Sequence, residues 1–404
     1  MLIIYKSQEV RKSDKIKILV ISSVVPNAKD IGGELVLHRY LHEDPDIEVE
    51  VFRWAKFPLR LKIIGKMKKL GFYKSGNILE CLWPVYPKAK EIDKVMASFK
   101  PDIILTVAHA WFHLAAAKAS LRRQIPLITF FQDWWADFDR EIPQYCNKRM
   151  EQFMRRTCEH STKVIGVSKG MLRELGNPIN AQLIHDLPAV LPLDDCAIDK
   201  KRPEGPFRLV YFGNLGEYGP MIESLLDLCQ GRADIELHVF GPKPKWSCGA
   251  EERFRKLGLF HGLLPRDEFT SRIAEFDGIL AAMQFDEGLG RRMMTSFPSK
   301  IIEGVQYGLP IIVWGPDHCS AVEWARMKNR ALCVTDPSAE ALIAAISKHK
   351  DAKGDIDLRQ YSLGSRLAAE EEFNPLNIRK QFKQVLCDVL AKVKNEIVTE
   401  NNYN

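Results

Sequence analysis

The chain has nine cysteines among 404 residues but lacks any Cys-x-x-Cys pair. Scattered, odd-numbered thiols suggest neither a disulfide framework nor a zinc site. A reducing, cytoplasmic compartment is therefore expected. No apolar run approaches the roughly 18 residues that a spanning helix needs. The opening MLIIYKSQEVRKSDK turns charged after a few apolar positions, too soon for a signal peptide or a membrane span. Any work at a membrane is then expected from its inner face, as a peripheral protein. Low-complexity tracts and internal repeats are missing as well. Charge of one sign hardly dominates: 58 Lys and Arg against 52 Asp and Glu leave +6 at pH 7. That excess suits a phosphate-bearing substrate or an anionic surface, and no nucleic-acid partner is expected.

What is present is an ordinary globular balance, 46% hydrophobic and 27% charged. The length exceeds what a single growing core accommodates, so two domains are expected. KIKILVISSVV (15–25) is a continuous apolar, β-branched run leading into a turn with Gly32-Gly33 and then a helix, ELVLHRYLHE. DIILTVAH, PLITFFQD and KVIGVS repeat the pattern of buried strand followed by helix, which predicts a parallel sheet. Ligands on such sheets lie beyond the carboxyl ends of the strands, so His109, Asp133 and Ser168 should share one rim. Charge, Pro and Gly cluster in DDCAIDKKRPEGP (194–206), the expected linker. The strand pattern restarts with FRLVYFGNLG and continues through IELHVFG, DGILAAM and PIIVWGP. Residues 366–395 carry helical periodicity broken at Asn374-Pro375.

SFPSKIIEGVQYGLPIIVWGP (296–316) resembles the donor-binding segment of GT-B glycosyltransferases, above all the family-4-type group. The resemblance continues through the Gly32-Gly33 loop, the strand ending at His109, FQDWW, GVSKGM and YFGNLG. It implies an α/β chain of two Rossmann-like domains facing across a cleft. Residues 1–195 would bind the acceptor and 206–365 the nucleotide sugar, while the helices of 366–395 return to the first domain. It implies transfer of a sugar from a nucleotide diphosphate sugar to a saccharide or polyprenyl-linked glycan, in surface polysaccharide assembly, with retention and with neither metal nor cofactor. A GT-B epimerase or phosphorylase, or a non-catalytic scaffold, are the alternatives.

A diphosphate leaving group needs hydrogen-bond donors and positive charge where its charge grows. Ser296, Phe297, Pro298 and Ser299 open a helix with free amides beside Lys300. Glu303 lies one turn on and would accept from two ribose hydroxyls, as the family's glutamate does; an intrahelical pair with Lys300 competes. Gly213 and Asn214 allow backbone to approach the phosphates. Relatives carry an arginine and a lysine on that turn, whereas this chain has none, which leaves Lys300, with Arg291 or Arg292, to supply the charge. A sugar-contacting glutamate of the family is replaced by Thr295, with Asp286 and Glu287 as partial substitutes. In the acceptor half Gly32 and Gly33 bring backbone near the reacting sugar. Asp133 and His109 are the catalytic candidates, with Gln132 standing where relatives have histidine. Trp134 and Trp135 stack on a sugar or fill the core.

Residues 56–74, KFPLRLKIIGKMKKLGFYK, contain no acidic residue. Lys and Arg interleaved with large apolar side chains suit an anionic bilayer surface; a packed helix with a solvated basic face is the alternative.

Overall fold

A computed structural model describes residues 15–30, 32–54, 58–137, 142–189 and 205–402, with side chains for all of these but 266, 267 and 393–402. The first sheet holds β1 (Ile16–Val20), β2 (Ile47–Val51), β3 (Ile103–Val107), β4 (Leu127–Phe131), β5 (Lys163–Gly166) and β6 (Ala181–Leu183). The second holds β7 (Phe207–Phe212), β8 (Ile235–Phe240), β9 (Phe260–Gly262), β10 (Gly278–Ala282), β11 (Ile311–Trp314) and β12 (Leu332–Val334). Their orders are β2-β1-β3-β4-β5-β6 and β12-β11-β10-β7-β8-β9. Described pairings are parallel, for example Ile18 with Ile103 and Ile279 with Ile311.

The sequence accounts for this. β3 (IILTV) and β4 (LITFF) are buried at every position, the mark of strands covered on both faces. β2 (IEVEV) sits at an edge and exposes Glu48 and Glu50, charges that discourage further strand pairing. In the second sheet, alternation splits the core: Leu209, Tyr211, Leu237 and Leu280 fill one face, while Val210, Ile279, Ala281 and Val313 fill the other with Ile301 and Val305. Each large side chain so buried contributes roughly 1.5–3 kcal/mol of transfer free energy.

Both sheets change direction at their first strand. β1 lies between β2 and β3, and β7 between β8 and β10. The loops leaving β1 and β7 therefore mark the crevice where α/β sheets take ligands.

The chain divides into two compact units, one of Met1–Phe130, Glu141–Val164 and Gln384–Asn404, the other of Phe131–Arg140 and Ile165–Lys383. Of the expected linker, residues 194–204 lie outside the described residues. The break near the C terminus follows its residues: Asn374 Oδ1 accepts from the amides of Leu376 and Asn377 at 3.0 and 3.1 Å, and Pro375 opens the helix Pro375–Asn402, where a missing N–H costs nothing.

Candidate functional site

The turn after β7 is shaped for close approach. Gly213 has φ 124°, which disfavours any side chain, and a Cβ there would stand 2.7 Å from Lys300 Cε. Asn214 Oδ1 accepts from Gly216 N at 2.7 Å, and its carbonyl accepts from the Tyr211 hydroxyl at 2.7 Å. Asn214 therefore fixes the turn with its side chain. Gly241, at the end of β8, packs so closely that an added Cβ would overlap the Gly213 carbonyl oxygen. Gly241→Ala should push the turn aside, cost about 1–3 kcal/mol of stability and weaken nucleotide binding, readable by denaturant melts and calorimetry on the same variant.

Lys300 comes to this turn from the helix Ser299–Gly304, whose Ile301 and Ile302 are buried. Its ammonium lies 4.6 Å from the Tyr211 ring centroid and 4.5 Å from that of Tyr218. Burial lowers its pKa to about 8, against a smaller upward pull from Glu217. The half-buried Glu303 lies one turn along. Near it is Asp186, unforeseen in the sequence, whose carboxyl is pushed up to about 6 by burial first and then by Asp133, with Glu303 adding and Gln132 and His185 opposing. Gln132 Nε2 donates to Asp186 Oδ1 at 3.4 Å.

Several expected site residues have structural tasks. Ser296 Oγ donates to Asp133 Oδ1 at 2.6 Å. Phe297 is buried among His185, Trp324 and Phe373, with centroids 5.0, 6.3 and 5.7 Å away. Pro298 precedes the helix without a side-chain cap, and Ser299 is exposed at its first position. Thr295 is fully buried and returns its hydroxyl to Arg291 O at 2.9 Å. Ser168 caps the helix Lys169–Glu174 and donates to Thr295 O at 2.5 Å. Two expectations need correction. Arg291 and Arg292, taken as diphosphate cations, are engaged at 2.6 Å with Asp137 and Glu217 respectively. Trp134, offered as a cleft residue that stacks on a sugar or fills the core, is fully buried, and Trp135 nearly so, which selects core filling. Asp286 and Glu287 are exposed, Asp286 accepting from Gly288 N at 2.9 Å.

In the first unit, Gly32 has φ 63° and opens the helix Gly33–Leu41 with room around it. His109, two residues past β3, is braced across the switch point: its Nδ1 is 3.2 Å from Ser23 Oγ, which also donates to the His109 carbonyl at 3.0 Å. The basic stretch forms two helices, Leu59–Lys69 and Tyr73–Leu82, broken at Gly71 with φ 90°. Lys56 and Phe57 lie outside the described residues. Leu59, Ile63, Leu70, Phe72, Tyr73 and Trp83 are exposed, as are Arg60, Lys62, Lys66, Lys69 and Lys74. Lys68 is engaged with Glu80 at 2.8 Å.

Residues 42–188 match the family described as Glycosyltransferase Family 4. Anabaena HepE, solved with UDP and glucose, shares 15% identity with a TM-score of 0.59 over 92% of this chain and 100% of its own. The apo lipopolysaccharide outer core galactosyltransferase WaaB shares 14% with a TM-score of 0.54, over 92% and 99%. The fold is that of the GT-B glycosyltransferases, and residues 42–188 resemble their family 4. The chain also resembles UDP-GlcNAc 2-epimerase from Neisseria meningitidis, at 13% identity and a TM-score of 0.50 over 92% and 100%. Identities this low speak for fold alone. No curated protein matches the chain. Among the described residues, no helix is long and apolar enough to cross a membrane.

Proposed function

We propose that the chain is a glycosyltransferase that moves a hexose or N-acetylhexosamine, with retention, from a nucleoside diphosphate sugar to a saccharide or lipid-linked glycan in surface polysaccharide assembly. The observation that carries this reading is the Lys300 ammonium held beside the Gly213 turn, where a chain without a cation on the turn itself needs one. The turn's backbone and Lys300 would bind the diphosphate, and Glu303 the ribose hydroxyls. In the step, the bond between the anomeric carbon and the β-phosphate oxygen breaks and the acceptor oxygen bonds the same face. The acceptor proton passes to the departing phosphate. Asp133 and His109 would orient the acceptor, with Gln132 beside Asp133 and the open backbone at Gly32-Gly33 on the acceptor side.

We expect no metal or cofactor requirement, which turnover in excess EDTA checks. A thermal-shift panel of nucleoside diphosphate sugars tests donor binding: a ligand at a hundred times its Kd stabilises by about 2.7 kcal/mol. Sugar transfer only when acceptor is present separates a transferase from an epimerase, and no shift with any donor would sink the reading. Glu303→Gln should weaken the donor nucleotide about tenfold, since it forfeits roughly 1.5 kcal/mol of charge assistance. Calorimetry with the donor and with an acceptor should show the loss on the donor alone. The exposed apolar and basic residues of 59–83 support a further reading, that the acceptor half docks on an anionic inner membrane face.

A further inference from the structure

Arg291 does other work than the neutralisation its sequence position suggests. Its Nε and a terminal guanidinium nitrogen give two parallel hydrogen bonds to Asp137 Oδ2 and Oδ1, both 2.6 Å. Its other terminal nitrogen reaches Glu174 Oε1 at 3.5 Å, and the guanidinium lies 5.1 Å from the Trp134 ring centroid. On the same two stretches of chain, Ser296 Oγ donates to Asp133 Oδ1 at 2.6 Å. Segment 133–137 is thus pinned to segment 291–296 at two points, and one of these is a planar fork that fixes orientation as well as distance. Trp134 and Trp135 are buried between the two pins, so the segment cannot turn without exposing both indoles.

We propose that Arg291 is a positioning residue, which acts through Asp137 and Trp134 to hold Gln132 and Asp133 at the reacting end of the donor site. This rests on the transferase reading. The guanidinium's planar face and both edges are already taken by an indole and two carboxylates, whereas the Lys300 side chain stands directly against Gly213. Losing the fork would leave the nucleotide where it binds and misplace Asp133, and misplacement of about 1 Å is enough to cost a hundredfold in rate.

The experiment uses the full chain with Arg291→Met, Asp137→Asn and the two combined, the double variant avoiding an unpaired half-buried carboxylate. Calorimetry with UDP, GDP and ADP, transfer kinetics, and amide exchange over residues 131–137 are measured on each. Nucleotide affinity and donor KM should stay within twofold of the parent. The kcat should fall tenfold or more in each single variant and no further in the double, and exchange over 131–137 should quicken at least tenfold. A tenfold loss of nucleotide affinity in Arg291→Met with none in Asp137→Asn would make Arg291 a phosphate ligand and overturn the proposal. So would unchanged exchange over 131–137. If the parent binds no nucleotide and transfers no sugar, the transferase reading fails, while the exchange measurement still decides whether the clamp exists.

Discussion

Neutralising Lys62, Lys66, Lys69 and Lys74 together should cut partition of the protein onto anionic vesicles by about a thousandfold while transfer to a short water-soluble acceptor survives. These four are exposed, unlike Lys68, which Glu80 holds at 2.8 Å. Each cation near an anionic surface is worth about 1 kcal/mol, so four together amount to about a thousandfold in partition. The apolar side chains beside them make the case more than electrostatic. Leu70, Phe72 and Tyr73 are 65%, 60% and 59% exposed at the bend between two helices, a grouping that water disfavours and an interface between headgroups and acyl chains accepts, and Trp83, 61% exposed, lies beside Arg60. Raising salt to 1 M shrinks the screening length to about 3 Å, which should weaken parental binding without erasing it. Phe72→Ser combined with Leu70→Ser should remove the remainder that salt leaves. Equal sedimentation of parent and quadruple variant at low salt would make 59–83 an ordinary solvated surface.

The architecture was legible because buried parallel strands leave a signal that needs no partner: β3 and β4 read as unbroken apolar runs and are buried at every position. β6 and β12, three residues each, are too short for any period to show. The helical break at Pro375 was legible because its cause is local. The site was legible in its pieces and illegible in its pairings. Lys300 and Gly213 were each picked out by type, but only folding brings the Lys300 side chain to where a Cβ on Gly213 would stand. Arg291 was misread because its partner Asp137 lies 154 residues away, so a basic pair in a loop looked available when it was committed. Asp186 carried no motif. Its carboxyl acquires meaning from burial near Asp133 and Glu303, neither of which adjoins it in sequence.

Lys300→Met should trade function for stability, losing nucleotide affinity tenfold to a hundredfold while the apo protein becomes harder to unfold at neutral pH. A charged hydrogen bond to phosphate is worth about 1.5–3 kcal/mol, which sets the first figure. The second follows from linkage. Lys300 titrates near 8 in the folded protein, below its ordinary 10.5, because burial penalises the ammonium. Between those values the unfolded chain binds the proton that the folded one has lost, so stability rises with pH across that window. Below about pH 8 the penalty is complete, and methionine removes it. The whole shift would be worth roughly 3 kcal/mol, but the side chain is only partly buried and the Tyr211 and Tyr218 rings compensate. The net gain should therefore be on the order of 1 kcal/mol. Urea melts of parent and variant at pH 7 should differ by that amount and converge above about pH 10.5. Nucleotide affinity of the parent should itself fall as pH rises past about 8, with no such fall in the variant. A variant that loses affinity and stability together would show that Lys300 mainly supports the fold of the turn, and a parent with flat affinity from pH 7 to 9.5 would remove the ammonium from the phosphate site.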